Sequence, residues 1–157
     1  MAKFFETSSD VQELIQDKFE NTTLPQIGIN LKVLSITKAK QVVKASRANA
    51  TTQFLTNKDV ILTVYEDALD RLSDEFKEKI IEGALSNIVY DSEKDKISVE
   101  GDFAKELFRM RKKYPNYVDI AETSYMVIEQ IEEEEKQRKE DEKLRKAEAR
   151  AAKKKNN

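Results

Sequence analysis

The chain has no cysteine, no histidine and no tryptophan, and only three glycines and two prolines in 157 residues. Without cysteine there are no disulfides and no thiolate chemistry, which fits a reducing compartment. Without either cysteine or histidine, a zinc site of the usual nitrogen and sulfur donors cannot be built. No stretch approaches the 18 or so consecutive apolar residues that a membrane helix needs. The start, MAKFFETSSD, lacks the apolar core and cleavage site of a secretory signal. The expectation is a soluble, cytoplasmic protein with no membrane partner. Neither sign of charge dominates, since 28 basic residues face 30 acidic ones, and this balance favours no class of partner.

What the chain does have is charge in quantity. Charged residues make up 37% of the sequence, and the mean hydropathy is -0.69. Both are high-polarity values for a globular chain, so part of the sequence must be solvated extension. The length suits one compact domain.

Periodicity divides that domain into elements. Val11, Leu14, Ile15 and Phe19 form one apolar stripe over residues 8–20, and the helix must stop before Pro25. Ile29 to Ile36 alternates apolar and polar residues, which predicts a half-buried strand. Gln41–Thr52 fits neither pattern, since Val42 and Val43 favour a strand and the following KASRANA favours helix or loop. Asp59–Tyr65 is rich in β-branched residues and almost wholly apolar, which predicts a strand buried on both faces. Glu66–Leu72 begins a helical half.

The chain is organised around Ser73–Tyr90. Phe76, Ile80, Ile81, Ala84, Leu85, Ile88 and Val89 line one side of a predicted helix, with Glu75, Lys77, Glu78, Lys79, Glu82 and Ser86 towards water. Ser73 is a good N-cap, and Asp74 and Glu75 place negative charge at the favoured end of the helix dipole. Beyond it, Lys96–Val99 reads as a short strand or extended segment. A helix opened by Asp102 carries Phe103, Leu107, Met110 and Tyr114 on one stripe and closes at Pro115. Val118, Ala121, Tyr125, Ile128 and Ile131 continue a helical seam, after which large apolar residues all but vanish. The predicted architecture is α+β: a small sheet packed on a central amphipathic helix, followed by a long charged C-terminal helix. A domain over residues 1–131 would carry a helical or disordered tail over 132–157.

The run TNKDVILTVYEDALDRLSDEFKEKIIEGALSNIVYD, followed by DKISVEGDFAKELFRMRKKYPN, resembles the small phage-encoded metallopeptidases of the zincin type. Asp67, Ala68 and Leu69 match the segment after that family's strand. Leu72 to Phe76 match the lead-in to its metal-binding helix, and Phe103, Ala104 and Leu107 match a later helix. The resemblance covers roughly residues 40–115. In that family two histidines of an HExxH motif leave one helix face to hold Zn²⁺, and the glutamate acts as general base. Here the motif falls on Gly83-Ala84-Leu85-Ser86-Asn87, so Gly83 and Asn87 stand for the histidines and Ala84 for the glutamate. A third ligand would lie near Ser98. The resemblance therefore implies a degenerate site at Gly83, Ala84 and Asn87, with no catalytic residue, no metal and no cofactor; on the plainer reading Gly83 is a close-packing position and Asn87 a polar residue on the helix flank.

Other clusters bear plainer readings. Asp91, Glu93, Asp95, Glu100 and Asp102 lack the spacing and central glycine of a calcium loop, and read as solvated turn residues. Phe54, Tyr65, Tyr90, Phe103 and Phe108 lie in or beside apolar runs and read as core. Two basic clusters are candidate contacts for a partner or nucleic acid. One is Arg109, Arg111, Lys112 and Lys113; the other is the tip, Arg145, Lys146, Arg150, Lys153, Lys154 and Lys155. The tip follows the acidic block Glu132–Glu135, and this separation makes it an electrostatic handle or, on the plainer reading, a solubiliser. The sequence expectation is a non-catalytic, phage-type binding or structural protein, of the kind found in a virion or other assembly, with a protein partner. The alternative is a nucleic-acid-associated accessory protein acting through the basic helix and tip.

Overall fold

A computed structural model describes residues 1–156 of the chain. Four strands form the main sheet: β1 (Phe4–Phe5), β2 (Leu31–Ile36), β3 (Val43–Arg47) and β4 (Val60–Val64), in the order β1-β2-β4-β3. The β2–β4 pair is parallel, with Leu31 opposite Val60, whereas β1–β2 and β3–β4 are antiparallel. Asp59 pins the register of the parallel pair. Its amide donates to the Asn30 carbonyl at 2.8 Å, and its carboxylate accepts from the Asn30 amide at 2.8 Å. The ambiguous stretch after Gln41 resolves into both of its readings, with β3 followed by α3 (Ala50–Thr56).

Alternation in these strands decides which face carries the core. Val33, Ser35, Val43, Ala45, Val60, Leu62 and Val64 all point to one face and are buried. On the other face Leu34, Ile61 and Thr63 are only half covered. The expectation that the apolar run Asp59–Tyr65 is buried on both faces is thus corrected. β4 is central because both its edges are paired, and the neighbouring strands give its second face partial shelter. Helices α1 (Ser9–Glu20) and α5 (Asp74–Ser86) pack together, and their buried residues join the sheet's in one apolar core. Short helices α2 (Leu24–Ile27) and α4 (Glu66–Leu69) turn corners. Pro25 sits in the first turn of α2, where its missing N–H costs nothing, and Gly28 takes the left-handed cap conformation at φ 91°.

The central helix is shorter than its sequence pattern suggests. Ser73 caps it by accepting from the Phe76 amide at 3.3 Å, as its residue type predicts. It ends at Ser86, however, and Ile88, Val89 and Tyr90 belong to β5 (Ile88–Asp91). That strand pairs with β6 (Lys96–Val99) in a two-stranded antiparallel ribbon. β-branched Ile88 and Val89 continue the apolar run without continuing the helix, and a run of this kind reads the same in either state. Helix α6 (Phe103–Lys113) follows, capped by Asp102, whose carboxylate accepts from the Ala104 amide at 2.9 Å.

The last helix, α7 (Tyr117–Lys155), runs 39 residues without a break. Its buried residues are Tyr117, Ile120, Ala121, Ser124, Val127 and Ile128. Of the seam expected from the sequence, Ala121 and Ile128 are buried while Val118, Tyr125 and Ile131 lie half covered along its flank. From Lys136 to Lys155 every residue is exposed, an overhang of about 30 Å at 1.5 Å per residue. The chain is therefore α+β, with a small sheet, a central helix and a long charged C-terminal helix. Among the described residues, no helix is long and apolar enough to cross a membrane.

Candidate functional site

The flank of α5 that carries Gly83 and Asn87 faces α6 and the start of α7, so these elements decide what the two positions can do. Gly83 is covered by Tyr117. A Cβ built on Gly83 would lie 1.9 Å from the Tyr117 hydroxyl oxygen and 2.9 Å from its ring carbon Cζ. Tyr117 is 1% exposed and packs with Met110 and Ala121. The space beside Gly83, where the expected motif would put its first histidine, is thus filled by a tyrosine from another helix. Ala84, where the expected motif would put its general base, is buried in the main core.

Asn87 caps the C-terminus of α5 and reaches α6 in both directions. Its side-chain amide donates to Glu106 Oε1 at 2.7 Å, and its Oδ1 accepts from the Arg109 guanidinium. The two contacts fix the amide orientation, with nitrogen towards the carboxylate and oxygen towards the cation. The Tyr117 hydroxyl donates to Glu106 Oε2 across a long 3.4 Å. Burial pushes the Glu106 carboxyl above its ordinary pKa, and the two hydrogen bonds with the Arg109 charge only partly reverse it. Burial next to Glu106 likewise drives the Tyr117 hydroxyl upward, so it stays protonated. Arg109 Nε is buried with no hydrogen-bond partner.

Two small cavities border Glu106, of about 30 and 40 Å³, and Gln41 and Phe103 line both. Each holds a water molecule or so, far less than a peptide substrate requires. Among the described residues, no group of three or more carboxylates is placed to hold a metal ion. Asp91, Asp95 and Glu100 are engaged locally: Asp91 accepts from the Glu93 amide at 3.0 Å, Asp95 from the Tyr90 hydroxyl at 2.6 Å, and Glu100 from the Asp102 amide at 3.0 Å. Chemically, the junction can lock three helices together. It offers no activated nucleophile.

A second ionic cluster lies beside it. Glu82, expected to face water, accepts from the Tyr114 hydroxyl at 2.8 Å and pairs with Lys113 at 3.1 Å and Lys18 at 3.4 Å. Burial opposes its ionisation, but these three partners outweigh burial and hold its pKa below the usual carboxylate range. They tie α1, α5 and α6 together.

The basic cluster on α6 consequently does not form one patch. Arg109 turns inward to Asn87, Lys113 is bound to Glu82, and Lys112 lies over the exposed Phe108 ring at 4.5 Å, leaving Arg111 in solvent. Phe108 is 65% exposed and Phe54 87%, so these two aromatics are surface residues, against expectation. Tyr65 is buried, and Phe103 meets Tyr125 edge-on at 5.4 Å. On α7, Arg145, Lys146, Arg150, Lys153, Lys154 and Lys155 are all exposed, and Lys146 pairs with Glu142 at 2.9 Å. The acidic block at the base of the overhang is docked, since Glu134 receives both guanidinium nitrogens of Arg71 at 3.0 and 2.7 Å.

Sequence reasoning missed Glu106 and Tyr117. Glu106 carried a faint signal, being an acid inside the apolar stripe Phe103–Leu107–Met110. Tyr117 carried none, because its partner is a glycine 34 positions away. No family model, curated protein or solved structure matches the chain.

Proposed function

We propose that the protein acts by binding rather than by catalysis, as a structural or adaptor element on a metallopeptidase-like scaffold of phage type. The domain serves as a base, and the overhang of α7 as its contact arm within a larger assembly such as a virion. The observation that carries this reading is the shape of α7. A single helix is seated on α4, α5 and α6 through its first half and then continues in solvent for about 30 Å. Such a segment buries no core of its own. Its intrahelical ion pairs, Glu135–Lys139 at 3.4 Å and Glu142–Lys146 at 2.9 Å, keep it helical at about 0.2–0.5 kcal/mol each. A rigid charged rod of this kind presents a surface to something outside the chain.

Support also comes from the degenerate motif. Gly83 is filled by Tyr117, and Asn87 is committed to Glu106 and Arg109. Recovery of partners from the native cell by the full chain and by residues 1–135, read by mass spectrometry, tests the reading. The full chain should retain a defined set that the shortened chain loses. A set that survives loss of the arm refutes the arm as the contact.

A further inference from the structure

The overhang is not uniformly charged around its axis. Lys136, Lys139, Lys143, Lys146, Arg150 and Lys153 recur at alternating spacings of three and four. At 100° per residue they fall within an arc of about 100°, a straight ridge about 25 Å long with a cation roughly every 5 Å. Asp141 and Glu148 fall on the opposite side of the helix. Charge is also divided along the chain. Residues 136–155 hold ten basic and four acidic residues, a net of +6, whereas the rest holds 18 basic and 26 acidic, a net of -8.

From this ridge we infer that the arm docks on the phosphate backbone of double-stranded DNA, without reading its sequence. The inference rests on the arm being the contact surface, and it names the partner. A three-four repeat is the spacing of a coiled-coil seam, but a seam needs apolar knobs, and lysine or arginine at every such position forbids burying it against another helix. Ion pairs with an acidic protein face are a weak substitute, because exposed pairs are each worth about 0–1 kcal/mol. A polyanion with condensed counterions differs, since each neutralised phosphate releases an ion to solution. Duplex DNA carries a phosphate every 3.4 Å or so per strand, about seven over the ridge's length, against six cations, of which Lys139 and Lys146 exchange their intrahelical partners Glu135 and Glu142 for phosphate. The arm has no aromatic residue on which unpaired bases could stack, which disfavours single strands. On the opposite side Asp141 and Glu148 are balanced by Arg145 and Lys155, so that side carries no net charge and the helix presents its ridge to the backbone.

The test is fluorescence anisotropy of a labelled 25-base-pair duplex of arbitrary sequence with the full chain, from 50 to 200 mM NaCl. The wild type should bind at low salt and lose several hundredfold in affinity over that range, as expected for five or so phosphate contacts. The variant Lys143→Gln/Lys146→Gln/Arg150→Gln/Lys153→Gln should bind at least tenfold more weakly at 50 mM NaCl with a shallower salt slope. The off-ridge variant Arg138→Gln/Arg145→Gln/Lys155→Gln should lose less than threefold. Circular dichroism should report unchanged helix in both, since glutamine is a good helix former. Absence of duplex binding at 50 mM salt overturns the inference, as do equal losses in the two variants or tighter binding to single strands or polyglutamate. If DNA binding fails while partner recovery still depends on the arm, only the identity of the partner is refuted. If neither depends on the arm, the arm is not a contact surface.

Discussion

Replacing Gly83 by alanine separates two accounts of this position with one methyl group. If the position were an emptied ligand site, alanine would have room and would stabilise the helix by up to about 1 kcal/mol through backbone propensity. The structure says otherwise. The new Cβ would meet the Tyr117 hydroxyl oxygen at 1.9 Å and Cζ at 2.9 Å, far inside contact distance. Tyr117 cannot swing aside, because its ring is buried against Met110 and Ala121. Relief requires α7 to shift, and overpacking of this kind costs about 1–3 kcal/mol. Set against the propensity gain, the expected result is a net loss of up to about 2 kcal/mol. Urea titration with an unchanged slope would read it. Tyr117→Phe removes the atom at 1.9 Å but leaves the one at 2.9 Å. The double variant should therefore be more stable than the sum of the single losses predicts. Gly83→Ala that is neutral or stabilising would refute the close packing of Tyr117 on α5.

Three further outcomes are expected. Glu106→Gln should match or exceed the parent in stability at pH 7. A carboxyl with a raised native pKa lends stability at low pH that is lost as pH rises through that pKa, so the difference should close below about pH 4 in parallel urea titrations; a variant that is less stable at pH 7 would show the ionised form to be well satisfied. Truncation after Gln137 should leave stability within about 1 kcal/mol, because only exposed intrahelical pairs are lost; truncation after Ile131 should cost more, since it also strips Glu134 from Arg71. Elemental analysis of the triple variant Gly83→His/Ala84→Glu/Asn87→His should find no stoichiometric zinc, because the first imidazole would have to occupy the space of Tyr117; one tightly held equivalent would contradict that geometry.

The parts of the fold written as local pattern were legible. The three-four stripe of α1, the Ser73 and Asp102 caps and the alternation of β2 each depend on residues within a turn or two of one another. The parts set by distant partners were not. Ile88 and Val89 are as apolar in β5 as they would be in α5, and only pairing with Ser98 and Val99 decides the matter. Phe54 and Phe108 look like core in a linear reading and lie in solvent, because nothing in an apolar run says whether a neighbour will cover it. The same holds for the site. Gly83 and Asn87 are singled out by the resemblance alone, while the residues that explain them, Tyr117 and Glu106, are brought there by α6 and α7.

The order of strands in the main sheet has a consequence for how the chain assembles in time. Neither β2 nor β3 bonds to the other; both await β4, which comes last in sequence. Apart from the two-residue β1, no strand made before residue 60 pairs with either of them, so a chain leaving the ribosome carries β3 unpaired and β2 with its long edge open. The antiparallel join closes first, because Arg47 and Val60 bound a far shorter loop than Leu31 and Val60. The longer closure costs about 0.7 kcal/mol more in chain entropy, at roughly 0.6 kcal/mol per doubling of length. Substitutions in Val60–Val64 should thus slow folding, whereas equal losses at the ribbon of β5 and β6 should mainly speed unfolding.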